Sequence, residues 1–468
     1  MKKREILAVL GLAGATLGLM LSCAKSDRVV ARLDWQTYEA ATLKASTDGR
    51  RSSFIARITG RWFVVVDGKE SRRYDWVRGY DPVFSPNSRR VAFAARVGDK
   101  AFIVLDGKEG RRHDDIGKAA AVFSPNSRRM AYAALDSSRA RLILDGRAGE
   151  PCDGIGNIVF SPDSRRVAYV ARRAKKWQVV IDGRPGREYD AIGSTSPQFT
   201  ADSRHVVYEA QTGDQWLVVT DTLDGSAYNS TGNLTIGPTG GRFAYAAAVD
   251  TNWTVVADGV AGPVYEWVQK LTFSPDGGRL AYVAMQHGQL FVVADGKEGS
   301  RYDDVPDLAA PTFSPDGRRL AYGARRDGVA FIVVDSVEGA GYRAVRRPAF
   351  SPDSRRLAYP AQPESGWCVV ADGVESPVYK FVIPGTTVFG PDSRSLAYIA
   401  QTRDSTRVVV NGKPGPGFNE LIPRPEDNEL TPTGLAMAFT SATTVSYYAR
   451  RGTEVHRVIA RVEPQRRP

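Results

Sequence analysis

Phe160-Ser161-Pro162-Asp163-Ser164-Arg165-Arg166-Val167-Ala168-Tyr169 decides how this chain folds, because the chain repeats it. Phe84-Ser85-Pro86-Asn87-Ser88-Arg89-Arg90-Val91-Ala92-Phe93 is one copy, and others open with Phe123-Ser124-Pro125, Phe273-Ser274-Pro275-Asp276, Phe313-Ser314-Pro315-Asp316 and Phe350-Ser351-Pro352-Asp353. Degenerate copies start at Ala45, Phe199, Ile236, Phe389 and Phe439. The starts are 37 to 40 residues apart until a last interval of 50, whose excess is an insertion at 423–434 opening with Pro423-Arg424-Pro425-Glu426-Asp427-Asn428. A fixed period of this length marks a repeat architecture.

One unit resolves into four short β segments. Residues 157–160 end a strand, and Ser161-Pro162-Asp163-Ser164 reads as a type I turn, with proline fixing φ at its second position. Val167-Ala168-Tyr169-Val170 is the second strand and Trp177-Gln178-Val179-Val180-Ile181 the third. Asp182-Gly183 is a hairpin turn, and Glu188-Tyr189-Asp190-Ala191-Ile192 reads as a short fourth strand. No segment keeps a helical period over eleven residues, so the chain is all-β. Four antiparallel strands in about 38 residues is the pattern of a β-propeller blade.

The F-S-P-D-S/G-R-R-x-A-Y motifs resemble the WD-like repeats of the TolB-type propeller family over about residues 36–462. That resemblance implies a propeller fold and, as partner, another envelope protein docking at the mouth of the channel. The repeat is reused for many roles, so it does not name a function.

Third strands recur eleven times, from Val64 to Val458, and the last repeat ends after its third. Thr37-Tyr38-Glu39-Ala40-Ala41 matches the fourth-strand pattern of Arg301-Tyr302-Asp303-Asp304-Val305. The N-terminal segment is therefore expected to complete the last blade and close one ring of eleven, leaving no open edge. Two abutting propellers of five and six blades are the alternative.

The chain of 468 residues has 42% hydrophobic and 25% charged residues, with Gly 45 and Pro 27 spread along it, so it can bury a large core. Its one long apolar run, Ile6 to Leu21, follows Lys2, Lys3 and Arg4 and precedes Ser22-Cys23, the layout of a secretory signal over residues 1–22. A small residue before Cys resembles the bacterial lipobox, although Met20 and Leu21 stand where that pattern usually has Leu and a small residue. The resemblance implies lipidation of Cys23, a bacterial envelope location and, because Ala24 rather than Asp follows, the outer rather than the inner membrane. Residues 23–35 then read as a bare, flexible tether and 463–468 as a tail.

Residues 1–22 carry three Lys/Arg and one Glu, so the net charge of +11 becomes +9 without them. Export makes nucleic acid an unsuitable partner for that charge. Cys152 and Cys368 lie six repeats apart, too far for a disulfide across a ring, and no Cys/His spacing marks a zinc site. His113, His205, His287 and His456 fall in separate repeats, without HExxH, GxSxG or P-loop patterns. No metal, cofactor or catalytic residue is expected.

The arginine pairs Arg50-Arg51, Arg89-Arg90, Arg128-Arg129, Arg165-Arg166, Arg318-Arg319 and Arg355-Arg356 should share one face. Asp67, Asp106, Asp145, Asp182, Asp258, Asp295 and Asp372 end third strands at the same face, and pairing across the hairpin is preferred to a dedicated cationic ring. Trp62, Phe102, Trp177, Trp216, Trp253, Phe331 and Trp367 open third strands and are assigned to packing between blades. Asp114-Asp115 and Asp303-Asp304 are variants of the Tyr-Asp fourth-strand pattern rather than a glycosidase pair.

Residues that depart from the repeat are free of its demands. The binding candidates are Trp76, Arg78, Tyr80, Arg172, Arg173, Lys175, Lys176, Trp267, Lys270, Arg325, Arg326, Arg346 and Arg347. Trp76 to Tyr80 and Trp267 to Lys270 are expected as fourth-to-first-strand loops rimming the channel. The expectation is a non-catalytic, monomeric, lipid-anchored scaffold that binds an envelope protein or a glycan. A propeller hydrolase or lyase acting on polysaccharide or peptide is the alternative.

Overall fold

The computed structural model describes residues 24–32, 44–48, 50–78, 82–117, 121–422, 437–451 and 454–462. They form eleven sheets of four antiparallel strands, some with a short extra bridge, arranged as blades of one ring. Blade 4 shows the plan, running Gly154–Phe160, Val167–Arg173, Lys176–Ile181 and Arg184–Tyr189 in spatial order. Its register pairs Phe160 with Val167, Ala168 with Ile181 and Ile181 with Arg184.

The two central strands are buried on both sides because each blade lies between two others. Val167 to Ala171 are all buried, and Ala92, Ala131, Ala168, Ala244, Ala281 and Ala321 are wholly inaccessible. Alanine and β-branched residues fit there, since a small side chain lets neighbouring sheets approach and a branched one suits the pleat. Ala168, Val179 and Tyr189 of blade 4 pack with Phe199, Val206, Tyr208 and Leu217 of blade 5. Tyr residues ending fourth strands meet the second-strand Tyr of the following blade edge to face, as Tyr189 does with Tyr208 at 6.1 Å.

Most hairpin turns after a third strand place Asp and then Gly at positive φ, as at Asp182 (50°) and Gly183 (80°), with Asp335-Ser336 and Asn411-Gly412 as variants, which is the two-residue geometry that matches strand twist. The fourth position of the Ser-Pro turn is also left-handed: Ser164 has φ 67°, and Gly317 occupies the same place at 71°. This is why serine alternates with glycine in the motif.

Blade 11 is made from both ends of the chain. Glu420–Ile422, Thr444–Arg451 and Glu454–Arg461 are its first three strands, and Ala24–Arg32 is the fourth. Tyr448 then packs with Phe54, Ala56, Phe63 and Val65 of blade 1, closing the ring. Closure by the N-terminus is as expected, but the strand differs. A bare tether was expected over 23–35, whereas Ala24–Arg32 pairs along nearly all of Glu454–Arg461, with Ala24 opposite Ala460 and Arg32 opposite Glu454. A third strand of eight residues offers a full edge, and a nine-residue partner covers it. The segment 37–41, expected in this role, lies outside the described residues.

A second difference concerns phase. Glu188 to Ile192 is not one strand: Arg184–Tyr189 ends blade 4 and Ala191–Ile192 begins blade 5. The chain crosses between blades at Asp190, whose carboxylate binds Lys176 of its own blade and the Gly213 N–H of the next.

Candidate binding faces

Strand direction gives the ring two faces. The turns between first and second strands and between third and fourth strands lie on one, here the turn face. The hairpins between second and third strands and the crossovers between blades lie on the other, the crossover face.

On the turn face the repeated motif is used up in holding blades together. In blade 4, Ser161 Oγ donates to Asp163 at 2.6 Å, and the same Asp163 oxygen accepts the Arg165 N–H. The Asp163 N–H donates to Ser203 Oγ of blade 5. Arg166 Nε donates to Asp182 at 2.9 Å, its Nη1 donates to the Arg204 carbonyl of blade 5 at 2.5 Å, and its guanidinium lies 5.4 Å from the Phe199 ring. Arg51, Arg129, Arg242, Arg279 and Arg356 make the same three-way clamp. The expected Arg–Asp pairing is thus present, and the carbonyl and ring of the next blade add to it.

The arginine at the preceding motif position, first of each pair and single in blades 5 and 10, has no such use. Arg50, Arg89, Arg128, Arg165, Arg204, Arg318, Arg355 and Arg394 are exposed.

The crossover face gathers most of the candidates. Trp76 and Trp267 are not in loops; they open the inner strands Trp76–Val77 and Trp267–Phe273, because pairing with the second strand starts immediately after the crossover. Trp267 is 41% exposed and meets Trp253 edge to face at 5.2 Å. Arg172, Arg173, Lys175 and Lys176 form the exposed hairpin of blade 4, with Arg172 over Trp177 and Lys176 bound to Asp190. Arg325 pairs by backbone with Asp304, while Arg326 binds Glu338 at 2.9 Å and lies over Tyr302.

The other candidates sit deeper on inner strands and serve the ring. Arg78 donates to the Ile116 and Gly117 carbonyls of the next blade. Lys270 donates to the Val305 carbonyl at 2.8 Å and pairs with Asp307. Arg347 donates to Thr312, and Arg346 lies over Trp367, where burial lowers its pKa. These residues span blades 2 to 9, so the structure brings them to one side of the ring without gathering them into one pocket. A shallow hollow on the same face is lined by Val378, Tyr379, Lys380, Thr402 and Arg403. Tyr80, the segment 423–434, Cys23 and residues 1–22 lie outside the described residues.

The paired carboxylates cap hairpins. Asp114 binds Lys100 and accepts the Ser137 N–H, Asp115 binds Arg96, and Asp303 accepts the Asp327 N–H. The hydrogen bond from Lys100, aided by the Ser137 N–H, holds Asp114 below the usual carboxylate range. Among the described residues no group of three or more His, Cys, Asp or Glu could hold a metal ion. Cys152 and Cys368 are free and buried, and burial pushes the Cys368 thiol up to about 11.

The sequence reading missed Glu209. It stands in the second strand of blade 5 where other blades carry Ala94, Ala133, Val170, Ala246, Val283 or Ile399, and it is only 6% exposed. Burial raises its pKa, offset in part by the hydroxyls of Thr231 and Thr195. The visible signal was a carboxylate in the Tyr-x-Ala core pattern.

No protein-family model matches the chain, and no curated protein does. Solved structures similar to it include a eukaryotic initiation factor at 12% identity and TM-score 0.41, covering 70% of this chain and 96% of that one. The Dos1 propeller aligns at 13% identity and TM-score 0.32 over 60% of this chain and 89% of its own. TolB from Acinetobacter baumannii aligns at 15% identity and TM-score 0.25, over 62% and 75% respectively. Likeness at this level assigns no activity or partner.

Proposed function

We propose that this chain is an exported, lipid-anchored protein of the bacterial envelope whose ring is a non-catalytic scaffold, docking a protein partner on its crossover face. The observation that carries the reading is the division of polar groups. On the turn face the Ser, Asp and second Arg of the motif are bound within the blade or to the next one, whereas Arg172, Arg173 and Lys175 on the crossover face form an exposed basic hairpin. Trp267, three blades further round the same face, is an exposed aromatic of the type that anchors protein interfaces. The N-terminal signal pattern and the lipobox-like Ser22-Cys23 support the envelope location.

A hydrolase or lyase would use carboxylates free to reach substrate, and Asp114, Asp115 and Asp303 are engaged in hairpin caps and ion pairs. The scaffold reading is tested by retrieving partners from solubilised envelope with the wild-type chain and with Arg172→Glu/Lys175→Glu. A partner held through high salt by the wild type and lost by the variant supports it. Retention of glycan alone redirects the reading to sugar binding, and turnover of polysaccharide or peptide by the purified chain overturns it.

A further inference from the structure

The turn face is not uniform around the ring. The residue after Gly in the third-to-fourth-strand turn is Lys69, Lys108, Arg147 and Arg184 in blades 1 to 4. At the same position blades 5, 6, 8 and 9 carry Leu223, Val260, Val337 and Val374, exposed by 75%, 72%, 70% and 72%. The first arginine of the pairs adds Arg50, Arg89, Arg128 and Arg165 to blades 1 to 4.

Charge accounting sharpens the contrast. On blades 1 to 4 the aspartates of the third-to-fourth turns, Asp67, Asp106, Asp145 and Asp182, are matched by Arg51, Arg90, Arg129 and Arg166. The Ser-Pro turns supply only Asp48 and Asp163, since Asn87 and Asn126 stand in blades 2 and 3. Eight exposed cations therefore face two carboxylates, and among the described residues the one ion pair these cations make within reach is Arg165 with Asp163 at 4.0 Å. Over blades 6 to 9 the corresponding groups are Lys297, Arg318 and Arg355 against Asp276, Asp316 and Asp353, which cancel. The arc of blades 1 to 4 is cationic, and that of blades 6 to 9 is neutral with an aliphatic side chain at most of its hairpin tips.

The chain's own path says what this face meets. Ala24 pairs with Ala460, near the end of Glu454–Arg461 where Val462 donates to the Thr443 carbonyl of the first-to-second turn, so the N-terminus leaves the ring on the turn face. It does so at the outer edge of blade 11, directly beside blade 1 and the cationic arc. The apolar run Ile6 to Leu21 precedes Ala24 by only a few residues.

We infer that the turn face docks flat on an anionic lipid surface, with blades 1 to 4 over headgroup phosphates and Leu223, Val260, Val337 and Val374 dipping into the interface. Basic residues near such a surface are attracted within a Debye length, and aliphatic tips add apolar burial. The crossover face is then presented away from the membrane. The inference rests on the anchored reading above, and its test is independent of any partner.

The test uses the full chain on vesicles of phosphatidylethanolamine and phosphatidylglycerol with brominated acyl chains. A tryptophan is added at Leu223→Trp or Val374→Trp on the turn face and, as control, at Val329→Trp on the crossover face, all exposed positions. Flotation establishes that the chain is on the vesicles, and the emission of the added tryptophan is read against wild type. Docking predicts a blue shift and loss of emission at the two turn-face positions and neither at 329. It also predicts that Lys69→Glu/Lys108→Glu/Arg147→Glu/Arg184→Glu, or phosphatidylcholine in place of phosphatidylglycerol, abolishes the quenching. A chain that does not float overturns the anchored reading and this inference with it, whereas a chain that floats with the same emission on both faces, or with quenching indifferent to charge, overturns the docked turn face alone.

Discussion

The two faces of the ring use the same residue types for opposite ends. On the turn face Arg166 is spent on Asp182, the Arg204 carbonyl and Phe199. On the crossover face Arg172 and Arg173, from the same blade, stand exposed at a hairpin. What separates them is place in the blade: Arg166 stands where a carbonyl and an aromatic ring of the next blade face it, whereas Arg172 lies over Trp177 of its own blade and Arg173 projects from the hairpin. Composition alone, with 63 Lys and Arg in the chain, would have assigned both to binding.

The largest effect that could break this comparison lies within one arginine pair. Arg166→Ala removes a charge-assisted carbonyl bond and leaves Asp182 unmatched, which should cost about 2 kcal/mol, with the part-exposed ion pair itself contributing little. Arg165→Ala should stay within about 0.5 kcal/mol of wild type. Urea denaturation of the two variants checks the difference, and equal losses would mean that the pair acts as a unit.

Lys270→Met is next. It leaves the Val305 carbonyl and Asp307 without their cation at a site where the lysine is largely buried. A loss of about 1 to 2 kcal/mol in the same assay would place this crossover-side candidate with the ring rather than with a partner. No change would return it to the list of binding residues.

Glu209 gives a pH test of a smaller effect. Its folded pKa is raised above the ordinary 4.5 by burial, so its contribution to stability is fully present below pH about 4.5 and is lost as pH rises through the folded value. Glu209→Gln should therefore melt above wild type at neutral pH, with the gap closing in acid. A gap that persists unchanged at low pH would show that ionisation is not its cause. The smallest expected effect is Arg172→Ala/Lys175→Ala, whose melting temperature should match wild type because neither side chain holds the ring.

Much of the fold was legible because the repeat is dense. The Ser-Pro turns, the Asp-Gly hairpins and the missing last strand fix both the blade and the way the ring closes. The closing strand was misplaced because Thr37-Tyr38-Glu39 imitates the short Tyr-Asp pattern, while Ala24–Arg32 has a nine-residue pattern of its own, suited to a long edge. Blade phase was blurred at Tyr189-Asp190-Ala191, where two strands of different blades abut with one residue between them.

The site was less legible for a related reason. Trp76, Arg78 and Lys270 look exceptional in sequence, yet the structure seats the latter two against carbonyls of the next inner strand. The alternation of Lys and Arg with Leu and Val after the Asp-Gly turns gains meaning only once strand direction places those tips on the face from which Ala24 leaves.

The central claim is that partner recognition belongs to the crossover face and not to the turn face. The most direct measurement compares retrieval from solubilised envelope by Arg172→Glu/Lys175→Glu and by Arg128→Glu/Arg165→Glu, both checked for wild-type melting. The account predicts that the first variant loses its high-salt partner and the second keeps it. Loss by the second with retention by the first would contradict it.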